Sequence, residues 1–72
     1  MHSKLPSEDY LLRRRVVTEA EAAHFVSLSL PHLRRLRREG RGPRHVAVSE
    51  RRIGYRIADL EAWIQARLVE NG

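Results

Sequence analysis

Arginine dominates one short stretch of this sequence, LRRLRREGRGPR at residues 33–44, which holds six arginines in twelve positions. A guanidinium group carries a fixed positive charge and several N–H donors in one plane. It can therefore pair at two points with a phosphate or with the major-groove edge of guanine. A row of such groups is also common on solvated helix faces. The segment thus has two interpretations, a nucleic-acid contact or a soluble surface.

The positive charge of the chain is concentrated in its middle. The formal net charge is +5 over 72 residues, and thirteen of the fourteen basic residues are arginine. Residues 32–56 carry nine arginines against two glutamates, a net +7, whereas the remaining residues carry five basic against seven acidic side chains, a net −2. GC-rich codon usage raises arginine content but does not explain this clustering. The distribution predicts a polyanionic partner that meets one face of the protein.

Length and composition argue against several functions. Seventy-two residues suffice for one small domain, without a large catalytic cleft. Cysteine is absent, the four histidines lack close metal-ligand spacing, and no catalytic set or phosphate-cradling loop is recognisable. No apolar stretch approaches membrane-spanning length. We therefore expect a soluble, cytoplasmic protein that is not an enzyme and uses no metal, cofactor or small-molecule ligand.

The first part of the chain predicts a tail and then a helix. Residues 1–10 combine serine, proline and mixed charge with little to bury, which indicates a flexible tail before a domain over 11–70. Thr18 followed three residues later by Glu21 is a capping-box pattern. Helix one is therefore predicted from about Glu19 to residue 25 or 26.

A second helix should carry most of the arginines. Ser29 suits an N-cap and Gly40 a left-handed C-terminal stop, so helix two is predicted over about residues 30–39. At about 100° per residue, two leucines face inward and four residues share the opposite side: Leu33 and Leu36 against Pro31, Arg34, Arg35 and Arg38. Two short helices joined by a tight turn, the second rich in arginine, form a helix-turn-helix arrangement.

The C-terminal third predicts a hairpin and a last helix. Apolar and polar residues alternate on either side of SERR, so we expect a two-stranded hairpin with Arg51 and Arg52 at its tip and one apolar face of Val46, Val48, Ile53 and Tyr55. The last helix is amphipathic, with a stripe of Leu60, Trp63, Ile64 and Leu68. Trp63 and Tyr55 are expected in the core, the tyrosine with its hydroxyl in solvent. The predicted fold class is mainly α with a small β-hairpin.

The order and spacing of these elements resemble a known family. The residues that carry the resemblance lie within about 11–68 and are Thr18, Ala22, Ala23, Ser29, Leu33, Arg35, Leu36, Gly40, Pro43, Arg51 or Arg52, Tyr55, Arg56 and the run DLEAW at 59–63. Together they resemble the AlpA and excisionase-type family of small winged helix-turn-helix proteins, distant relatives of MerR DNA-binding domains. The chain departs from the family pattern at Ser27, commonly glycine, at Leu30, at the wing tip 49–50 and at Gly54. A DNA target sequence therefore does not transfer.

The resemblance implies how the protein meets DNA. Helix two would enter the major groove, and a wing over about residues 45–56 would reach phosphates or the adjacent minor groove. The implied major-groove contacts are Pro31, His32, Arg34, Arg35 and Arg38, the phosphate contacts are Ser29, Arg37, Arg41, Arg44 and Arg56, and the wing contacts are Arg51 and Arg52. Arg35 and Arg38 are preferred for base edges because both lie centrally on the exposed side of helix two, whereas Arg34 and Arg37 flank that stripe.

Each contact has a plainer interpretation. The arginines of helix two form only a solvated face if they pair with acids such as Glu39, and those of the hairpin tip are solubilising groups if the tip meets no ligand. The three arginines at 13–15 either approach DNA or protect a strand edge. The number of arginines on one helix, the scarcity of nearby acids and the second basic patch at the hairpin together favour DNA contact.

The resemblance also implies a biological setting. Such proteins act beside mobile genetic elements in bacteria, either as excisionases that direct recombination or as transcription regulators, and would be associated with the nucleoid. About five neutralised phosphates predict a slope of log affinity against log salt of about −4 to −5. The expected partners are double-stranded DNA, further copies bound side by side, and an integrase. One rival is an adaptor that grips an acidic protein; another is an RNA binder, which the presence of only four aromatic residues disfavours.

Overall fold

Three strands and three helices make up the part of the chain that the structure describes. The computed structural model describes residues 15–69, with β1 (Val16–Thr18), α1 (Glu19–Phe25), α2 (Leu30–Arg38), β2 (Val46–Ser49), β3 (Arg52–Arg56) and α3 (Ile57–Ala66). The strands form one antiparallel sheet in the order β1-β3-β2. The tail predicted over 1–10 and the arginines at 13 and 14 lie outside the described residues.

Helix α1 begins at the predicted capping box. The Thr18 hydroxyl accepts a hydrogen bond from the backbone N–H of Glu21 at 3.1 Å, and the Glu21 carboxylate accepts one from the backbone N–H of Thr18 at 2.9 Å. The hydrogen bond from the Thr18 backbone N–H is the largest cause that lowers the pKa of Glu21 below its ordinary value, followed by the interaction of the carboxylate with the Thr18 side chain. The box satisfies two backbone donors at the helix start, so the chain passes from β1 directly into α1.

Helices α1 and α2 end in the same way. Each is followed by one residue in the left-handed conformation, Ser27 at φ 61° and Gly40 at φ 72°. In both turns the next amide donates to a carbonyl five residues earlier at 2.9 Å, the pattern of a Schellman motif. The predicted stop at Gly40 is confirmed. Ser27 shows why the resembling family commonly has glycine there, because a side chain disfavours this φ.

The core lies between the helices and one face of the sheet. Its buried members are Val17, Ala22, Ala23, Leu33, Tyr55 and Leu60, with Val26, Leu30, Ile53 and Ile57 packed around them. The inward orientation predicted for Leu33 and Leu36 is confirmed, since both are buried. Leu30, at the leading edge of α2, is half-buried against this core.

The hairpin faces are divided differently from the prediction. Val46 pairs with Gly54 and Ala47 pairs with Ile53, but Ser49 pairs with Arg52, so the register shifts by one residue near the tip. This β-bulge reverses the alternation of β2 relative to β3. Val46 and Val48 therefore lie on the side of Gly54, opposite Ile53 and Tyr55, and the single apolar face expected from the sequence is wrong.

Strand β1 adds a third strand to the predicted two-stranded hairpin. Its residues pair with the end of β3, Val17 lying opposite Tyr55 and Thr18 opposite Gly54. The backbone N–H of Ile57 also donates to the carbonyl of Arg15 at 3.2 Å. The strand has only three residues, too few for an alternating pattern, which is why the sequence did not reveal it. It joins the start of the helix pair to the hairpin.

The last helix buries less of its stripe than expected. Leu60 is fully buried, but Ile64 one turn later is 40 % exposed, and Leu68 lies beyond the end of α3 and is 59 % exposed. Ile57, which was not in the predicted stripe, packs on the core instead. Helix α3 thus contacts the core through its first turns and extends past it. Tyr55 is in the core as predicted, but its hydroxyl is buried and not in solvent.

Candidate nucleic-acid interface

Helix α2 presents to solvent two arginines that have no partner among residues 15–69. The N-cap Ser29 accepts a hydrogen bond from the backbone N–H of His32 at 3.2 Å, and the helix then buries its leucines. Arg35 and Arg38 are exposed on the other side, as is Pro31 near the helix start. Within residues 15–69, neither arginine makes an ion pair or a hydrogen bond through its guanidinium group. Both groups are therefore available to an external anion.

The other two arginines of α2 share one carboxylate. Arg34 Nη2 lies 3.4 Å from Glu19 Oε1, and Arg37 Nε lies 3.7 Å from Glu19 Oε2. Glu19 is the first residue of α1, and its side chain is 18 % exposed, whereas that of Arg34 is 47 % exposed. Glu19 therefore links the two helices of the helix-turn-helix through ion pairs. It also compensates positive charge of Arg34 and Arg37, which the charge count of the sequence includes in the cationic surface.

Tyr55 lies beside the Glu19–Arg37 pair and extends the polar contact to the sheet. Its hydroxyl, Glu19 Oε2 and Arg37 Nε are all buried, and none makes a hydrogen bond of standard geometry within the described residues. Burial raises the pKa of Tyr55 above its ordinary value, and the nearby positive charge of Arg37 opposes this shift. The three side chains come from α1, α2 and β3. Arg37 is thus turned toward the helix junction and not toward the exposed face.

The loop after α2 is held by the last helix. The indole N–H of Trp63 and Nη2 of Arg67 each donate to the carbonyl of Arg41 at 3.1 Å, and the Arg67 guanidinium lies 3.9 Å from the centre of the Trp63 ring. The Arg41 side chain pairs with Glu39 at 3.0 Å. Sequence reasoning placed Trp63 in the core and did not single out Arg67. Their spacing of four residues, with Arg67 directly after the last residue of α3, was the available signal.

A second ion pair engages the arginine that precedes α3. Arg56 donates to both carboxylate oxygens of Asp59, at 2.7 and 3.0 Å. This hydrogen bonding lowers the pKa of Asp59, with a smaller contribution from the charge of Arg44. Arg44 itself is exposed and makes no ion pair among residues 15–69. Arg56 is consequently already neutralised, whereas Arg44 remains available.

The wing and the helix pair enclose a groove of about 720 Å³. Arg51 lies in the hairpin turn and Arg52 at the start of β3, and both are exposed. The groove wall includes these two arginines, Arg34 of α2 and the half-buried Leu30. The structure therefore brings together residues of the wing and of α2 that lie 17 or more positions apart in sequence.

Fold and surface together define a winged helix-turn-helix domain: two short helices joined by a tight turn, then a hairpin wing, with exposed arginines on both. The family model described as a helix-turn-helix domain matches residues 16–68, and the chain belongs to this family. Helix-turn-helix domains are a DNA-binding class. None of the curated proteins compared with the chain matches it. Among residues 15–69 no helix is long and apolar enough to cross a membrane, and no group of side chains forms a candidate metal site.

Proposed function

We propose that the protein binds double-stranded DNA with α2 in the major groove. The observation that carries this proposal is the exposure of Arg35 and Arg38, without partners among residues 15–69, on the helix that helix-turn-helix proteins place in the major groove. An unpaired guanidinium group retains its full capacity for two-point pairing with guanine, the most frequent specific arginine contact. These two side chains are assigned to base edges. Pro31 and His32, near the start of α2, and Arg34, at the border of its exposed face, are assigned to the major groove beside them.

The wing supplies the second contact. Arg51 and Arg52 project from the hairpin at the far wall of the groove, where they can meet the phosphates or the minor groove beside the site of α2. Ser29 and Arg44 are assigned to phosphates because the first lies at a helix N-terminus and the second is exposed and unpaired within the described residues. Arg41 would have to share its charge with Glu39.

Two arginines expected at phosphates have less support. Arg37 is directed at Glu19 and Tyr55, and Arg56 is engaged at two points by Asp59. In the proposed complex both act through the fold: Arg37 holds α2 against α1, and Arg56 holds the start of α3 beside the wing. Replacing either would alter DNA binding mainly through stability.

The biological role that fits these features is that of an excisionase or a transcription regulator of the AlpA type. A small winged module that contacts DNA through one short helix and a short wing buries little area on one site. We therefore expect several copies to bind side by side, with an integrase as a further partner in the excisionase case, in the bacterial nucleoid. The elements that support DNA binding are common to both roles.

The test is retention of sheared genomic DNA from the source organism on the purified protein, followed by sequencing and by titration of an enriched duplex. Closely spaced repeats beside an integrase gene support the excisionase, and promoters support the regulator. Arg35→Gln should weaken binding to the enriched duplex. It should also reduce the difference in binding free energy between that duplex and other sequences by about 1–3 kcal/mol, the value of one base contact. Arg15→Gln, which removes the same charge beside β1, should leave the discrimination intact. Failure to bind any duplex, with binding to an acidic protein, would favour the adaptor.

A further inference from the structure

Glu19 is the only residue in the described part of the chain that forms ion pairs with two arginines of α2. Each carboxylate oxygen faces one guanidinium group, Arg34 at 3.4 Å and Arg37 at 3.7 Å. The two arginines differ in what holds them. Arg37 is directed into the junction with Tyr55, whereas Arg34 is half exposed and lines the groove that also contains the wing arginines. Arg34 is therefore the groove cation whose charge Glu19 partly compensates.

The geometry of the Arg34 pair makes it easily exchanged. A separation of 3.4 Å is longer than the usual 2.7–2.9 Å of a charge-assisted hydrogen bond. A half-exposed pair of this kind contributes little to stability. A DNA phosphate in the groove would offer Arg34 an equivalent partner. Glu19 and the DNA backbone consequently compete for the same guanidinium group.

We propose that Glu19 is an internal counterion that limits the sequence-independent part of DNA affinity by retaining Arg34. The inference rests on the proposed DNA binding and concerns its magnitude. Contacts with phosphates carry no sequence information, and each one that a protein makes strengthens its binding to every duplex alike. By holding Arg34, Glu19 leaves Arg35 and Arg38 as the principal cations of α2. Base contacts then account for a larger share of the affinity.

The test measures binding of one duplex of about 20 base pairs of arbitrary sequence between 50 and 200 mM salt, so it needs no knowledge of the natural site. Glu19→Gln releases Arg34, and one more phosphate contact should steepen the slope of log affinity against log salt by about 0.9. We expect this variant to bind roughly tenfold more tightly than wild type at 50 mM and about threefold more tightly at 200 mM, because a slope difference of 0.9 over a fourfold salt range changes the ratio by about 3.5.

Two comparisons separate this effect from a change in net charge. Glu50→Gln removes the same charge from the hairpin turn. Glu50 makes no ion pair within residues 15–69, so this variant should not steepen the slope by the amount expected for one further phosphate contact. In an Arg34→Gln background, Glu19→Gln should lose most of its effect. If Glu19→Gln and Glu50→Gln change the slope equally, or if the effect persists without Arg34, the proposal is overturned.

A single substitution tests the proposal even if Glu19→Gln folds poorly, which circular dichroism would reveal. Arg34→Gln in the otherwise wild-type chain should reduce the slope by less than half as much as Arg44→Gln, because Arg34 is already compensated by Glu19 whereas Arg44 makes no ion pair among residues 15–69 and is assigned to a phosphate. Equal reductions would show that Arg34 binds phosphate in full and that Glu19 does not retain it. If wild type binds no duplex at any salt concentration, DNA binding itself fails; if it binds and these differences are absent, only the role of Glu19 fails.

Discussion

Gly54 occupies a position in the middle strand that has no room for a side chain. A Cβ atom built there would lie 2.5 Å from Val16 Cγ1, 2.9 Å from the carbonyl oxygen of Val17 and 3.3 Å from Val48 Cγ2. The Val16 side chain is exposed and can rotate away. The Val17 carbonyl is backbone of the neighbouring strand and can move only if β1 moves with it. We therefore predict that Gly54→Ala destabilises the protein.

The expected magnitude follows from two opposing effects. Overpacking usually costs about 1–3 kcal/mol, and the upper end applies here because the atom at 2.9 Å belongs to the backbone. Replacing glycine with alanine in a strand recovers about 1 kcal/mol of backbone entropy. The net loss of about 2 kcal/mol is a substantial part of the roughly 4–11 kcal/mol expected for a chain of this length. It should lower the thermal midpoint by about 8–16 °C, since 1 kcal/mol corresponds to about 4–8 °C in a domain of this size.

Thermal unfolding followed by circular dichroism measures this loss. Gly42→Ala is the matched control, because its nearest contact would be an ordinary 3.4 Å and its φ is not positive; its midpoint should stay within about 3 °C of wild type. Val16→Ala combined with Gly54→Ala should recover part of the loss but not all, since the contact with the Val17 carbonyl remains. An unchanged midpoint for Gly54→Ala, or full recovery in the double variant, would refute the reasoning.

Three further changes probe the supports of the interface. A Cβ atom at Gly40 would have no atom within 4 Å, so the effect of Gly40→Ala should come from the positive φ alone. We expect the free energy of unfolding, measured in urea, to fall by about 1 kcal/mol. A decrease above about 3 kcal/mol would contradict this explanation. Trp63→Phe removes the indole N–H that donates to the Arg41 carbonyl. We expect the free energy of unfolding to fall by about 1 kcal/mol and amide hydrogen exchange at residues 40–42 to become faster. Unchanged exchange at these residues would contradict the prediction. The hydrogen bond from Arg56 is the chief cause that lowers the pKa of the Asp59 carboxyl in the folded protein. The stabilisation by the Asp59 carboxylate is therefore fully present above the unfolded pKa of about 3.9 and is lost as the pH falls through the lower folded pKa. The difference in unfolding free energy between wild type and Asp59→Asn should narrow over that pH range, and a constant difference would exclude this linkage.

Local signals in the sequence were sufficient to locate α1 and α2. The capping box at Thr18, the N-cap at Ser29 and the stop at Gly40 all involve residues within five positions of each other, and the helices begin and end where these signals predicted. The apolar spacing of α2 also predicted which leucines are buried. The fold class followed from the order of such elements, because two capped helices and a hairpin have few ways to cover one small core.

The features that the sequence did not reveal depend on contacts between distant residues. The bulge in β2 reversed the hairpin faces, and an alternating pattern carries no sign of where such a shift occurs. Glu19 and Arg34 are 15 positions apart, and Trp63 and Arg41 are 22 apart. The sequence around Glu19 signals only a helix start, and its pairing with α2 appears once the turn at Ser27 brings the two helices together.

These distant pairs change the meaning of the arginine count and lead to a prediction about salt. Nine arginines lie between residues 32 and 56. Four of them are paired with acids inside the protein, namely Arg34, Arg37, Arg41 and Arg56. The other five, Arg35, Arg38, Arg44, Arg51 and Arg52, make no ion pair among residues 15–69. If these five alone meet phosphates or the groove, the slope of log affinity against log salt should be about −4.5.

The same titration distinguishes this arrangement from one in which DNA displaces the internal acids. Transfer of all nine arginines to DNA would give a slope near −8, because each further phosphate contact adds about 0.9 to its magnitude. A value near −4.5 means that the ion pairs of the free protein persist in the complex and that Glu19, Glu39 and Asp59 restrict its contact with the backbone. A value near −8 would show that these acids yield to phosphate, and the internal pairs would then support the free fold alone.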